Sequence, residues 1–168
     1  MTGSTHQTSG TRIPSLGSRG QGWVALQFGL MGAIAVAGYR GSGDPDGWQA
    51  AVVLVMGAAM ILGGLLVVAL GVRQLDRSLS ALPKPIDSGV LIEHGLYRRV
   101  RHPIYAGVIL GAAGWSVLMA SIAALLLTVV LAVVLDLKSR REEAWLRERY
   151  PGYPAYVART QRFVPWLY

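Results

Sequence analysis

Apolar and polar residues alternate along the chain in long blocks, with no short period. Trp23 to Tyr39 is an apolar run about one membrane thickness long, and Ala50 to Val72 is a second with no charge. From Ile104 to Leu135 there are 32 residues without a charged side chain. As one helix that run would measure about 48 Å, against about 30 Å of hydrocarbon, and tilt absorbs only part of the excess. A hairpin of two short spans turning near Met119-Ala120-Ser121 fits better. The pattern therefore predicts an all-α membrane protein of about four transmembrane helices, over 23–39, 50–72, 103–119 and 121–137.

The polar blocks supply the connections. Residues 1–21, rich in Gly, Ser and Thr, read as a flexible tail, leaving 22–168 as a single domain. Ala35-Val36-Ala37 imitates a signal-peptide cleavage site, but the first run is read as a retained span. Residues 40–49 form a turn-rich loop with Trp48 at an interface. Residues 73–102 form the longest polar loop, broken by Pro83, Pro85 and Gly89. Residues 138–168 read as C-terminal cytoplasmic helices, interrupted at Pro151-Gly152 and restarted at Pro154. Small residues at Ala59 and Gly63, and at Gly107 and Gly111, suit close helix packing in lipid.

Charge fixes the expected orientation. The formal net charge is +7, with 16 Lys and Arg against 9 Asp and Glu. With four spans and the N-terminus inside, 15 of the 16 basic residues fall on one side, and only Arg40 lies opposite. Three spans would put the seven basic residues after Asp136 outside, against the positive-inside rule. Both termini are thus expected in the cytoplasm. The basic residues flank spans, so nucleic acid is not an expected partner. Without cysteine and with only three histidines, thiol chemistry is excluded and no metal site is expected. An arginine-dominated, Ala/Val/Gly-rich composition suggests a bacterial inner membrane.

Candidate chemistry concentrates at residues 95–107, where a basic segment becomes a membrane helix. Pro103 is expected at N1 of that helix, whose free N–H groups favour an anion beside Arg101, His102 and Tyr97. Ionisable residues at the mouth of a span suggest a site, whereas three arginines alone are explained as snorkelling anchors. By span counting, His102 and Glu142 lie at matching depth on the two arms of the hairpin.

Gly95-x-Tyr97, Arg101-His102-Pro103-x-Tyr105-x-Gly107, then Glu142-Glu143-x-x-Leu146 with Tyr153 and Tyr156, resemble the isoprenylcysteine carboxyl methyltransferase family and the related phospholipid methyltransferases. The likeness spans roughly residues 70–165. It implies an integral-membrane enzyme using S-adenosyl-L-methionine on a lipophilic small-molecule or lipidated acceptor among membrane lipids, a carboxylate favoured over an amine. Cofactor contacts implied by the resemblance are Tyr97, His102, Pro103, Ile104, Tyr105 and Glu142, with Gly89, Val90, Leu91 and Ile92 as a looser wall. Packing of Val90-Leu91-Ile92 on the membrane face explains that patch equally well. In carboxylate-methylating relatives an arginine stands four residues before the glutamate; here Lys138 does, with Arg140 or Arg141 as substitutes. Lys138, Arg101 and Arg141 are the candidate catalytic residues. Arg-His-Pro-x-Tyr also occurs in sterol reductases, so an NADPH-dependent reductase and a non-enzymatic scaffold are the competing readings.

Overall fold

The computed structural model describes residues 14, 16–17, 20–75 and 91–165, and they contain no strand beyond one isolated bridge. Five α-helices follow in order: α1 Gln21–Arg40, α2 Gly47–Leu75, α3 Pro103–Leu118, α4 Ile122–Arg149 and the short α5 Tyr153–Ala158. A 3-10 turn at Gly95–Arg98 precedes α3. α1, α2 and α4 are long and apolar enough to cross a membrane, while α3, also apolar, has 16 residues. At 1.5 Å per residue α3 is about 24 Å long, below a full hydrocarbon thickness. Apolar side chains such as Leu54, Leu62, Leu65, Leu126 and Val129 point outward, as lipid-facing residues should.

The charge-free run folds back at Met119–Ser121, between the end of α3 and the start of α4. Ser121 caps α4 by accepting from the Ala124 N–H, and its own hydroxyl donates to the Ala37 carbonyl of α1. The hairpin turn is thereby tied to the far end of the first helix. Between its arms, the Ser116 and Thr128 hydroxyls meet at 3.1 Å, and each also returns to a carbonyl one turn back. These polar groups satisfy one another inside the bundle, which lipid requires.

α3 is the central helix, touching α1, α2 and α4. Its approach to α2 is set by glycine. On α2 the buried residues are Gly57, Gly64 and Gly71, one every seven positions, and Gly107 and Gly114 face them from α3. A methyl group on Gly64 would fall 2.6 Å from the Gly107 carbonyl oxygen and 2.7 Å from the Gly111 nitrogen. Both obstacles are backbone, so neither moves cheaply. Ala59 is exposed and Gly63 meets only a Leu110 methyl at 3.6 Å, so the packing seam differs from the Ala59–Gly63 pair expected above. Small-residue spacing was legible in sequence, but the face it occupies depends on helix rotation.

α1 packs mainly on α4; its buried residues are Trp23, Gln27, Ile34 and Gly38, and Gly38 lies against Trp115 of α3. The apolar core is built from Ile34, Ala124, Leu131 and Leu135 with Trp115 and Tyr105 beside it. Gln27 belongs to this same inward face.

The α2–α3 seam gives a sharp contrast in mutational tolerance. Gly64→Ala should lower the thermal midpoint in detergent, at a cost of about 1–3 kcal/mol for overpacking. Gly63→Ala and Gly29→Ala, where the added methyl finds room, should leave it within about 0.5 kcal/mol of wild type. Parallel melts of the three variants check this.

Candidate active site

Local backbone chemistry brings the loop before α3 into place. Gly95 has φ +60°, a left-handed conformation that favours glycine, and a side chain there would collide with Gln74. Gln74 Oε1 accepts from the Leu96 N–H at 2.7 Å. The chain then turns so that Tyr97 is buried, its hydroxyl donating to the Gly71 carbonyl at 3.4 Å. Tyr156 of α5 donates to the Tyr97 carbonyl at 2.7 Å. Gly95-x-Tyr97 is therefore the piece that joins α2, the loop and the C-terminal segment. Beside it, a cavity of about 500 Å³ is lined by Leu70, Arg73, Gln74 and His94.

Pro103 occupies the first position of α3, with His102 as the preceding cap residue. Residues 160–163 return alongside residues 99–102. Gln161 N donates to the Arg99 carbonyl (2.9 Å), Arg101 N to the Gln161 carbonyl (2.8 Å) and His102 N to the Arg162 carbonyl (3.0 Å). This parallel bridge holds the backbone of Arg101 and His102.

Glu143 lies at the junction, 1% exposed. Arg101 Nε donates to it at 2.9 Å, Arg162 Nε at 3.2 Å, and His102 Nε2 lies 3.3 Å away without hydrogen-bond alignment. Arg162 also reaches Asp136 at 2.9 Å, and Arg101 donates to the Thr160 carbonyl. Three segments distant in sequence thus share one carboxylate. Burial pushes the Glu143 carboxyl up, but His102, Arg162 and Arg101 outweigh it and hold the pKa far below the usual glutamate value.

Glu142, the adjacent residue, points elsewhere. It accepts from the Tyr105 hydroxyl at 2.9 Å, sits 3.8 Å from His102 Nδ1, and its side chain is 24% exposed. Here burial dominates over His102, Tyr105 and Lys138, so the carboxyl is raised. The two neighbouring glutamates are driven apart electrostatically, the pattern by which sites separate roles. Tyr105 stacks flat on His102 (centroids 5.3 Å apart, planes 4°), and Lys138 Nζ lies 5.0 Å from the Tyr105 ring centre. Lys138 does not snorkel outward: it is 2% exposed and donates to Gln27 Oε1 of α1 at 2.7 Å.

Among the residues expected at the site, Arg101, His102, Tyr105, Lys138 and Glu142 come together, and Tyr97 adjoins them through Tyr156. Pro103 is buried beneath the cluster as the first residue of α3. Ile104 packs instead on Gly71 of α2. Arg141 stacks on Trp145 at 4.5 Å, with its Nε lacking a hydrogen-bond partner among the described residues. Leu91 and Ile92 are half-buried, and Gly89 and Val90 lie outside the described residues. Sequence reasoning missed Gln27, Arg162 and Thr160. Gln27 had a signal, as the lone polar side chain inside the first apolar run. Arg162 had none, because its partners are set by a chain reversal.

The depressed Glu143 pKa has a pH consequence. As acid is added, the unfolded chain takes up a proton near the usual 4.5, while folded Glu143 resists. Its contribution is therefore complete above that pH and is lost progressively below it. Thermal stability should fall between about pH 5 and 3. Glu143→Gln should lower the midpoint at neutral pH and flatten this slope, and Glu142→Gln should do neither. Melting curves across pH decide it.

No curated protein matches the chain. The phospholipid methyltransferase family pattern matches residues 52–152, which takes in most of α2, all of α3, the Arg101–Tyr105 segment and both glutamates but leaves α1 outside. The match covers more than half of the chain and includes the cluster just described. With three helices suited to crossing a bilayer, the protein is an integral membrane protein that belongs to the phospholipid methyltransferase family, and so to the membrane methyltransferases.

Proposed function

We propose that the protein transfers a methyl group from S-adenosyl-L-methionine to a lipid-like or isoprenoid-like acceptor, a carboxylate in preference to an amine, at the cytoplasmic face of a bacterial inner membrane. The observation that carries this reading is the division of the cluster into an acidic, aromatic side and a cationic side across Tyr105. Glu142, with Tyr105 and His102, offers a carboxylate and stacked rings to a cofactor bearing an ammonium and a sulfonium. His102 Nε2 and the Tyr153 hydroxyl are buried without hydrogen-bond partners among the described residues and can serve the same ligand. These groups fit the cofactor. When bound, it supplies an electrophilic methyl on sulfur.

Because a carboxylate acceptor is already nucleophilic, the protein need only position it and exclude water. Arg101 acts indirectly, fixing Glu143 and the strap of residues 160–163 so that His102 keeps its place. Lys138 is the cation for the acceptor, and its burial beside Tyr105 disfavours an ammonium headgroup at that point. Arg141, stacked on Trp145, is the weaker candidate. Tyr97, with Leu91 and Ile92, completes the cofactor side.

The charge asymmetry supports an inside site. A cysteine replacing Ser42 should label only from outside, and one replacing Glu148 only from the cytoplasm; the reverse pattern rejects the orientation.

Calorimetric titration of purified protein with S-adenosylhomocysteine and with NADPH tests the activity. Saturable binding of the first and none of the second is expected. Glu142→Gln should weaken that binding by about ten- to hundredfold, the value of a charged hydrogen bond. Binding of NADPH alone would move the protein to the reductase reading.

A further inference from the structure

The cavity at the end of α2 shares no lining residue with the cluster around Tyr105. Leu70, Arg73, Gln74 and His94 line a space of about 500 Å³, and no acidic side chain is among them. The Arg73 and His94 side chains are exposed and make no hydrogen bond or ion pair among the described residues. Gln74 is half-buried and held in one orientation, because its Oε1 accepts from the Leu96 N–H at 2.7 Å. Its amide nitrogen thereby keeps two N–H donors for another partner.

An arginine at the end of a span is ordinarily a snorkelling anchor. That explains Arg73 alone. It does not explain a hollow shared by a guanidinium, a carboxamide and an imidazole, all of them N–H donors. Gln74 Oε1 is already used, so donors outnumber acceptors around the space. The matching ligand is an anion rich in acceptor oxygens. Tetrahedral phosphate offers them to donors arriving from several sides, where a carboxylate offers only two.

Depth and Leu70 supply the rest of the ligand. With 29 residues α2 is about 44 Å long, well beyond about 30 Å of hydrocarbon. About 20 residues from the exposed, interfacial Trp48 complete the crossing, which leaves Arg73 and Gln74 at the depth of lipid headgroups. Leu70, one turn before Gln74, is exposed on the hydrocarbon side. Basic pockets at this level of a membrane bundle suit anionic headgroups.

We propose that this cavity is a headgroup site for an anionic glycerophospholipid, its phosphate accepting from Arg73, Gln74 and His94 and its chains running along Leu70 into the bilayer. The lipid here is a bound neighbour and not the methyl acceptor. None of Tyr105, Lys138 and Glu142 lines the site, and the inference does not depend on which group is methylated. Because Gln74 also holds the Leu96 N–H, an occupied site braces the turn that carries Tyr97.

The test combines native mass spectrometry and thermal unfolding of the purified full chain in nonionic detergent. The probes are dioleoyl phosphatidylglycerol, dioleoyl phosphatidylcholine and inorganic phosphate. Phosphatidylglycerol should bind roughly tenfold tighter than phosphatidylcholine and raise the melting midpoint. Arg73→Gln should weaken that binding about tenfold, the value of a charge-assisted hydrogen bond, and His94→Ala should weaken it less. Arg98→Gln removes an equal charge from an exposed residue outside the cavity lining, and should change the affinity by no more than about twofold. Both arginines are exposed, so their replacement leaves the fold in place. Equal weakening by Arg73→Gln and Arg98→Gln, or equal binding of the two lipids, overturns the site in favour of a diffuse basic surface. Inorganic phosphate bound as tightly as phosphatidylglycerol, and lost in Arg73→Gln, keeps the phosphate seat but overturns a lipid as its source.

Discussion

A carboxylate that is 1% exposed has to be surrounded by donors, and Glu143 recruits them from two places far apart in the chain. Arg101 comes from the loop before α3, Arg162 from the segment after α5, and Glu143 itself from α4. Removing one partner would leave charge buried and uncompensated, which is far costlier than losing an exposed ion pair. Geometry propagates outward from this point. The bridge between residues 99–102 and 161–162 fixes the backbone of His102, and the Tyr105 ring stacks on His102. Tyr105 then holds Glu142 by its hydroxyl and underlies Lys138 with its ring face. Adjacent residues of one helix thus meet different surroundings, Glu142 turned toward Tyr105 and Glu143 toward the clamp.

That division follows from the geometry of a helix. Successive side chains are about 100° apart, so neighbours in sequence face different environments. A motif written Glu-Glu conceals this, because the letters are the same. Lys138, four residues before Glu142, shares its face, and both turn toward Tyr105. Charge type alone would have grouped Lys138 with Arg140 and Arg141, but Arg140 pairs with Asp136 outside and Arg141 stacks on Trp145.

How much the sequence disclosed depended on how local the cause was. The helical hairpin was legible, because a 32-residue uncharged run is much longer than one crossing needs, and Ser121 caps the second arm where the turn was expected. Pro103 at the start of α3 was legible for the same reason, since proline geometry is intrinsic. The meeting of His102 with Glu142 followed from equal depth on two arms. The glycine seam was only half legible: its residue type was evident, but α2 turns Gly57, Gly64 and Gly71 inward and leaves Ala59 out. Arg162 was illegible, because its role depends on a reversal after α5 that no local signal announces. Gln27 was visible as a lone polar residue, but its partner lies 111 positions away.

The parallel bridge between Val100 and Gln161 has a consequence for how the molecule is made. Residues 160–163 follow every helix in chain order, so all the apolar segments are synthesised before the strap exists. The helices can enter the bilayer and pair through glycine and hydroxyl contacts while Glu143 still lacks Arg162. Assembly of the bundle and assembly of the chemistry are therefore separate events in time. A nascent chain halted after α5 would hold its helices in lipid with the clamp on Glu143 incomplete until the strap docks.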